Sequence, residues 1–199
     1  RVSGGDQNLN NWHPFINELT MDRIVRLWLT GISHPVADQF FLWITQLGSP
    51  TAFIMGSIAS MLVFIRMRRG LQGLVLNLCL FTSWAVMNGL KELFARPRPL
   101  GEHLTYAAGF SFPSGHAMVS TAFYGFLAYL LWINIPGRCG RMCSGLLILL
   151  IILIGISRVY LNVHFTSDVL AGFLLGVLLV FLFAKLYHYL STVLAKRSS

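Results

Sequence analysis

The chain has 199 residues, of which 55% are hydrophobic and only 11% charged, and its mean hydropathy is +0.67. A soluble domain carries about a quarter charged residues, so this composition excludes an ordinary soluble protein and indicates an integral membrane protein of one domain. The formal net charge of +8 does not indicate nucleic acid, because the basic residues are scattered over short loops and no basic face interleaved with aromatics occurs.

Residues 1–12 (RVSGGDQNLNNW) are polar, lack a signal-peptide core and begin at Arg1, which reads as a fragment or a processed product. Residues 14–34 are amphipathic. Ile24, Leu27, Trp28 and Ile32 share one helical face, with Asp22, Arg23 and Arg26 off it. That pattern suits a helix lying at a membrane surface, and equally a helix packed on the rest of the domain. A short helix is predicted over 36–47. Gly48-Ser49-Pro50 breaks it, and Pro50 can open the next helix because its missing N–H is an orphan there.

Five spans are predicted, over 50–65, 71–94, 115–135, 143–163 and 169–190. The first is close to the minimum length. Lys185 near the end of the fifth can snorkel to the interface. The fold class is therefore all-α, a polytopic transmembrane helix bundle with short interfacial helices near the N-terminus. Residues 1–46 form the outer-face interfacial segment and 47–199 the core. Arg66, Arg68, Arg69, Arg138, Arg141, Lys196 and Arg197 fall on one side, which the positive-inside rule makes cytoplasmic. An odd number of spans with an outside N-terminus implies a sixth helix upstream.

Cys79, Cys139 and Cys143 are too few for a disulfide framework. The Cys-x3-Cys pair lacks two further ligands, so no metal site and no cofactor is expected. His13, His34 and His188 read as interface residues.

Three polar islands lie on the outer side, at 91–99 (KELFARPRP), 113–116 (PSGH) and 157–168 (SRVYLNVHFTSD). Charges beside bilayer-spanning segments are costly and mark function. Lys91 sits at a span exit and Arg98 on a turn stiffened by Pro97 and Pro99. Arg offers a planar fork to phosphate oxygens and Lys a point charge. Taken alone, snorkelling and headgroup contact explain both as well, and that is the preferred reading for Glu92 and Arg96. Ser114 and Gly115 open a helix whose unsatisfied N–H groups favour an anion, and His116 in its first turn could protonate a leaving oxygen. The alternative is a Ser N-cap followed by an interfacial histidine. His164 and Asp168, four apart, share a face if the fifth span starts near His164. The aspartate could then orient the ring for attack on phosphorus. A first-turn acid favoured by the helix dipole explains Asp168 alone but neither Arg158 nor His164. In the 13 residues between Pro99 and Pro113, Glu102, His103 and Tyr106 read as a solvated loop within reach of a headgroup.

In order and spacing, Lys-x6-Arg-Pro, Pro-Ser-Gly-His and Ser-Arg-x5-His-x3-Asp resemble the three motifs of the type 2 phosphatidic acid phosphatases. Within that family the chain is similar to small bacterial membrane lipid phosphatases, of the phosphatidylglycerophosphatase B and undecaprenyl diphosphate phosphatase types. The resemblance implies a six-helix membrane core and metal-independent hydrolysis of a lipid phosphate or diphosphate. It implies His164 as the nucleophile, Asp168 as its orienter and His116 as general acid and then base. Lys91, Arg98, Arg158, Ser114 and Gly115 are implied as the phosphate clamp. The expected partners are the lipid phosphate and the bilayer, with no nucleic acid and no obligate protein partner. The expected location is a bacterial cytoplasmic membrane with the site facing outward. A non-enzymatic anion or lipid-phosphate transporter is the alternative, as is phosphotransfer by the same site. Mid-span Asn77, Ser83 and Asn88 offer a transporter little polarity.

Overall fold

A long apolar sequence broken by Pro and Gly gives helices and short connections. The computed structural model describes residues 19–32 and 34–198, so the readings of residues 1–12 and of His13 lie outside it. Among the described residues seven helices follow one another: α1 (Thr20–Gly31), α2 (Pro35–Gln46), α3 (Pro50–Arg66), α4 (Gly70–Phe94), α5 (Gly115–Asn134), α6 (Gly137–Tyr160) and α7 (Thr166–Ser198). No strand occurs among the described residues.

Local chemistry sets the boundaries. His34 caps α2 by accepting from the Val36 N–H, and Ser49 caps α3 by accepting from the Ala52 N–H, each ahead of a proline at the helix start. Ala95 ends α4 in the left-handed conformation, two residues ahead of Pro97. Two spans differ from their predicted bounds. α6 begins at Gly137, ahead of the expected 143, because hydropathy marks only its apolar stretch while the polar first turns are already helical. It stops at Tyr160, where Asn162 (φ 56°) turns the chain back. α7 likewise starts before 169 and continues past 190.

Among the described residues four helices, α4 to α7, are each long and apolar enough to cross a membrane. α3 reaches that length only together with α2, as a pair bent by 47°. Large apolar side chains cover the outside of the spans, among them Ile58, Phe81, Leu146, Leu174 and Phe181, as a lipid-facing surface requires.

α5 is the central helix and packs chiefly on α6, α7 and α4, while α3 leans on α4. Met118, Ala122, Phe123 and Phe126 of α5 join Val75, Leu76 and Cys79 of α4 in the core. Small residues let α5 and α7 approach closely. A Cβ on Gly172 would sit 2.9 Å from the Ser114 carbonyl oxygen, and one on Gly176 would sit 2.5 Å from Thr121 Cβ. Replacing Gly176 with Leu is therefore expected to force the two helices apart. The expected cost is about 1–3 kcal/mol, read as a lowered unfolding midpoint in detergent.

α1 rests on α6 and α7, and α2 on α6. Ile24, Leu27 and Trp28 are 62%, 57% and 66% exposed, whereas Asp22 is 1% exposed. The apolar face of α1 thus turns away from the protein, and Asp22, expected only to lie off that face, turns in. By element order, Arg66–Arg69 around the α3–α4 connection and Arg138 and Arg141 in the first turns of α6 share one end of the bundle with Lys196 near the end of α7, and the three polar islands share the other.

Candidate active site

The connection between α4 and α5 folds over the ends of α6 and α7. The Ser111 N–H donates to the Arg96 carbonyl at 2.8 Å, and the Leu104 N–H to the Leu161 carbonyl at 3.2 Å. This fold-over brings Arg98 back toward Lys91. Arg98 donates to the carbonyls of Gly109 (3.0 Å), Val163 (2.7 Å) and Ala108 (2.7 Å), and Lys91 donates to that of Phe110. Past α6, the turn at Asn162 returns the N–H groups of Val163 and His164 to the Arg158 carbonyl, at 3.1 and 3.3 Å. His164 therefore stands beside Arg158 rather than on a helix. α7 starts at Thr166, so the shared helical face expected for His164 and Asp168 is replaced by a loop residue meeting a first-turn residue.

The pairing survives that change. His164 Nδ1 lies 3.6 Å from Asp168 Oδ2, and its Nε2 lies 3.3 Å from Arg98 Nη1. Asp168 is fully buried and its carboxylate is held from several sides. Arg96 Nη1 donates to Oδ1 at 2.6 Å, while Ser111 Oγ and the Phe165 N–H donate to Oδ2. With Oδ2 beside Nδ1 and the Arg98 guanidinium beside Nε2, these neighbours favour the tautomer that carries its proton on Nδ1 and turns the Nε2 lone pair toward the cations.

A cavity of about 650 Å³ collects the islands. Lys91, Arg98, Gly115, His116, Arg158 and His164 line one part of it. Phe53, Ile54, Ile58, Leu80, Phe81, Trp84 and Met87, from α3 and α4, line much of the rest, with Val119 of α5 and Ala107 among the others. Gly48 makes room for His116, since a Cβ there would lie 2.8 Å from His116 Cδ2. Arg158 is aimed by Thr45, whose Oγ1 accepts from Nη1 at 2.6 Å, and its Nε is buried with no partner. Two expected site residues stand behind the lining. Asp168 backs His164. Ser114 caps α5, its N–H donating to the Asp168 carbonyl at 3.0 Å and its Oγ buried without a partner.

Sequence reasoning missed Ser111, Thr45 and Arg96. Ser111 and Thr45 carry no pattern. Arg96, expected at the headgroups, is 3% exposed and bridges Asp168 to Asp22, a correction that follows from the connection folding inward. Glu92 and Tyr106 are exposed, and the His103 ring bonds the Pro99 carbonyl. No group of three or more His, Cys, Asp or Glu side chains able to hold a metal occurs among the described residues.

Residues 72–192 match the PAP2 superfamily, more than half of the chain. The chain belongs to the PAP2 superfamily. A relative from Bacillus subtilis named phosphatidylglycerophosphatase B is 37% identical over 171 residues, covering 85% of this chain and 74% of that one. The crystal structure of a transmembrane PAP2 type phosphatidylglycerolphosphate phosphatase from Bacillus subtilis superposes with a TM-score of 0.80. It is 32% identical and covers 84% of this chain and 85% of that one. LpxE of Aquifex aeolicus shares the fold, with a TM-score of 0.69 at 24% identity over 85% of this chain and 98% of that one. The present PAP2 protein is accordingly an integral membrane enzyme, a phosphatase, and the transporter alternative falls away.

Burial pushes the His164 imidazole down to about 3, against the opposing pull of the Asp168 carboxylate. A depressed value means that the ring is neutral at every pH above that. Histidine-labelled nitrogen NMR of this PAP2 phosphatase is expected to show His164 neutral from pH 8 down to pH 5. A titration of that ring between pH 6 and 7 would contradict the assignment.

Proposed function

We propose that this PAP2 phosphatase hydrolyses a lipid phosphate or diphosphate, without a metal, through a phosphohistidine on His164. The observation that carries the proposal is the two-part cavity. Its cationic end fits a phosphate, and its apolar part lies between α3 and α4, where Ile54, Ile58, Phe81 and Trp84 are more than half exposed to the lipid side. A substrate with an anionic head and a greasy tail matches both parts at once. Phosphatidylglycerophosphate, the substrate class in the name of the Bacillus subtilis relatives, has that form, as do phosphatidate and undecaprenyl diphosphate.

In the proposed reaction Lys91, Arg98 and Arg158 clamp the phosphoryl oxygens, joined by the free N–H groups at the start of α5 around Gly115. Ser114 fixes where that helix begins, and its hydroxyl is a further donor. The His164 Nε2 lone pair attacks phosphorus, and the bond from phosphorus to the leaving oxygen breaks with its electron pair going to oxygen. His116 protonates that oxygen. Water then attacks the phosphohistidine and His116 takes its proton. The N–P bond breaks, its electrons return to Nε2, and phosphate leaves. Asp168 acts through His164, holding Nδ1–H so that Nε2 stays the nucleophile. Cations around the transferring group supply the stabilisation that matters most in phosphoryl transfer.

Replacement of His164 by Ala or Asn is expected to abolish phosphate release in mixed micelles, by at least ~1000-fold. The wild-type enzyme should remain active in EDTA and be inhibited by vanadate. Unchanged turnover in the His164 variants overturns the assignment. A panel of the three lipids, scored by released phosphate, ranks the substrates. Transfer of phosphate to an added alcohol in place of water would identify a phosphotransferase.

We infer that the site faces the outside of a bacterial cytoplasmic membrane, with α1 and α2 on that face. Support comes from Arg66, Arg68, Arg69, Arg138, Arg141 and Lys196, which crowd the opposite end of the bundle. In a variant whose native cysteines are Ser, a cysteine placed at Tyr106, which is 89% exposed, should react with an impermeant maleimide on intact spheroplasts. A cysteine at Arg138 should react only after permeabilisation. The reverse pattern inverts the topology.

A further inference from the structure

We propose that Arg96 and Asp22 are positioning residues for the Asp168–His164 pair, so that α1 is a working part of the active site. The inference rests on the phosphohistidine reading above and extends it to a residue, Asp22, that lies outside the segment matching the superfamily.

The geometry is a buried chain of charges. Arg96 is 3% exposed, Asp22 1% and Asp168 fully buried. Arg96 Nη1 donates to Asp168 Oδ1 at 2.6 Å and to Ser167 Oγ at 2.7 Å, and its Nη2 donates to Asp22 Oδ2 at 3.2 Å. Asp22 also accepts from the Ser167 N–H at 2.8 Å and from Ser167 Oγ at 2.7 Å. An acid from α1 therefore caps the start of α7, 145 residues away, next to the residue that orients the nucleophile. The guanidinium also lies over the Phe165 ring, 4.2 Å from its centroid, so it touches the side chain that follows His164.

The division of labour on Asp168 gives this chain a role beyond stability. One oxygen, Oδ1, takes Arg96. The other, Oδ2, takes Ser111 and the Phe165 N–H and faces His164 Nδ1. A carboxylate can swing about its last bond, so an orienter needs a fixed far oxygen to keep its near oxygen on the imidazole. Arg96 is the fixture. A guanidinium with one carboxylate on each terminal nitrogen has little freedom, and Asp22 restrains it from the far side. With Arg96 removed, Asp168 stays bonded to Ser111 and the Phe165 N–H, but its face toward His164 is no longer fixed. The loss then falls on the chemical step, because Lys91, Arg98 and Arg158, which hold the phosphate, are fixed by other partners, the carbonyls of Gly109, Val163, Ala108 and Phe110 and the Thr45 hydroxyl.

Single-turnover phosphorylation and steady-state release are measured with phosphatidate in mixed micelles. The set is the wild type, Arg96→Met, Arg96→Lys, Asp22→Asn and the Arg96→Met/Asp22→Asn double variant, with His164→Ala as the inactive control. Rates are normalised to monodisperse, folded enzyme. Arg96→Met is expected to slow phosphoenzyme formation and kcat about 100-fold while KM stays within about threefold. Arg96→Lys should recover about tenfold of that, since an ammonium reaches Asp168 but cannot bridge to Asp22. Asp22→Asn should cost about tenfold in kcat. The double variant should be no more than about threefold slower than Arg96→Met alone, because the bond from Asp22 to Arg96 is already gone and only its bonds to Ser167 remain to be weakened.

An Arg96→Met enzyme with kcat within threefold of wild type overturns the proposal, as does a change confined to KM or to folded yield. If Arg96→Met does not fold, Asp22→Asn and Arg96→Lys decide by the same kcat criterion. These results differ from failure of the functional reading itself, in which His164→Ala would stay as active as the wild type.

Discussion

A fully buried carboxylate in a membrane protein has to have its lone pairs answered, and Asp168 has them answered by the first and third polar islands and by the α4–α5 connection. Arg96 comes from the first, and Ser111 from the connection just ahead of the second. His164 and the Phe165 N–H come from the third. Even its backbone takes part, because the Asp168 carbonyl accepts from the Ser114 N–H at the start of α5. One residue thus fixes the end of the α4–α5 connection, the start of α5 and the turn carrying His164. The islands are separated by tens of residues in sequence and joined at this point.

The cations are solved differently. Lys91, Arg98 and Arg158 lie around one cavity, where like charges repel. Neutral oxygens stand in for counterions: the carbonyls of Gly109, Val163 and Ala108 take Arg98, that of Phe110 takes Lys91, and the Thr45 hydroxyl takes Arg158. Carbonyl dipoles solvate a cation without cancelling its charge. A carboxylate in their place would neutralise the cluster and compete with phosphate. The two acids that do lie nearby, Asp22 and Asp168, are paired with Arg96, which lines no part of the cavity. The charges are sorted, with acids behind the histidine and bare cations in front.

This sorting explains what the sequence could and could not convey. The spans were legible because bilayer thickness imposes length and hydropathy, and Lys91, Arg98, His116, Arg158 and His164 were legible because their spacing is characteristic. Arg96 was not, since an arginine between a span end and two prolines looks the same whether it points to headgroups or folds inward. The burial of Asp22 was hidden for a related reason. Periodicity separates the faces of α1 but does not say which one meets the protein. In a soluble protein the apolar face would turn inward by default. Here Ile24, Leu27 and Trp28 face out and Asp22 faces in, because an apolar exterior is tolerated beside lipid while a lone buried acid is tolerated only beside Arg96. Ser111 and Thr45 had no signal at all, as single hydroxyls gain meaning only from the tertiary contacts they make.

Close helix packing and the site are one problem. Gly172 lets α7 approach α5 at the Ser114 carbonyl, and Gly48 leaves room for the His116 ring. Ser114 and His116 flank Gly115, the first residue of α5, which itself lines the cavity. A side chain at either distant glycine would displace the helix start that presents its N–H groups to the anion. Asp168 lies one turn before Gly172 on α7, so the same close contact keeps its carbonyl on the Ser114 N–H. The separation of α5 and α7 is therefore set at the catalytic end, and the bulkier core of Phe126, Leu76 and Leu130 fills the space farther along the bundle.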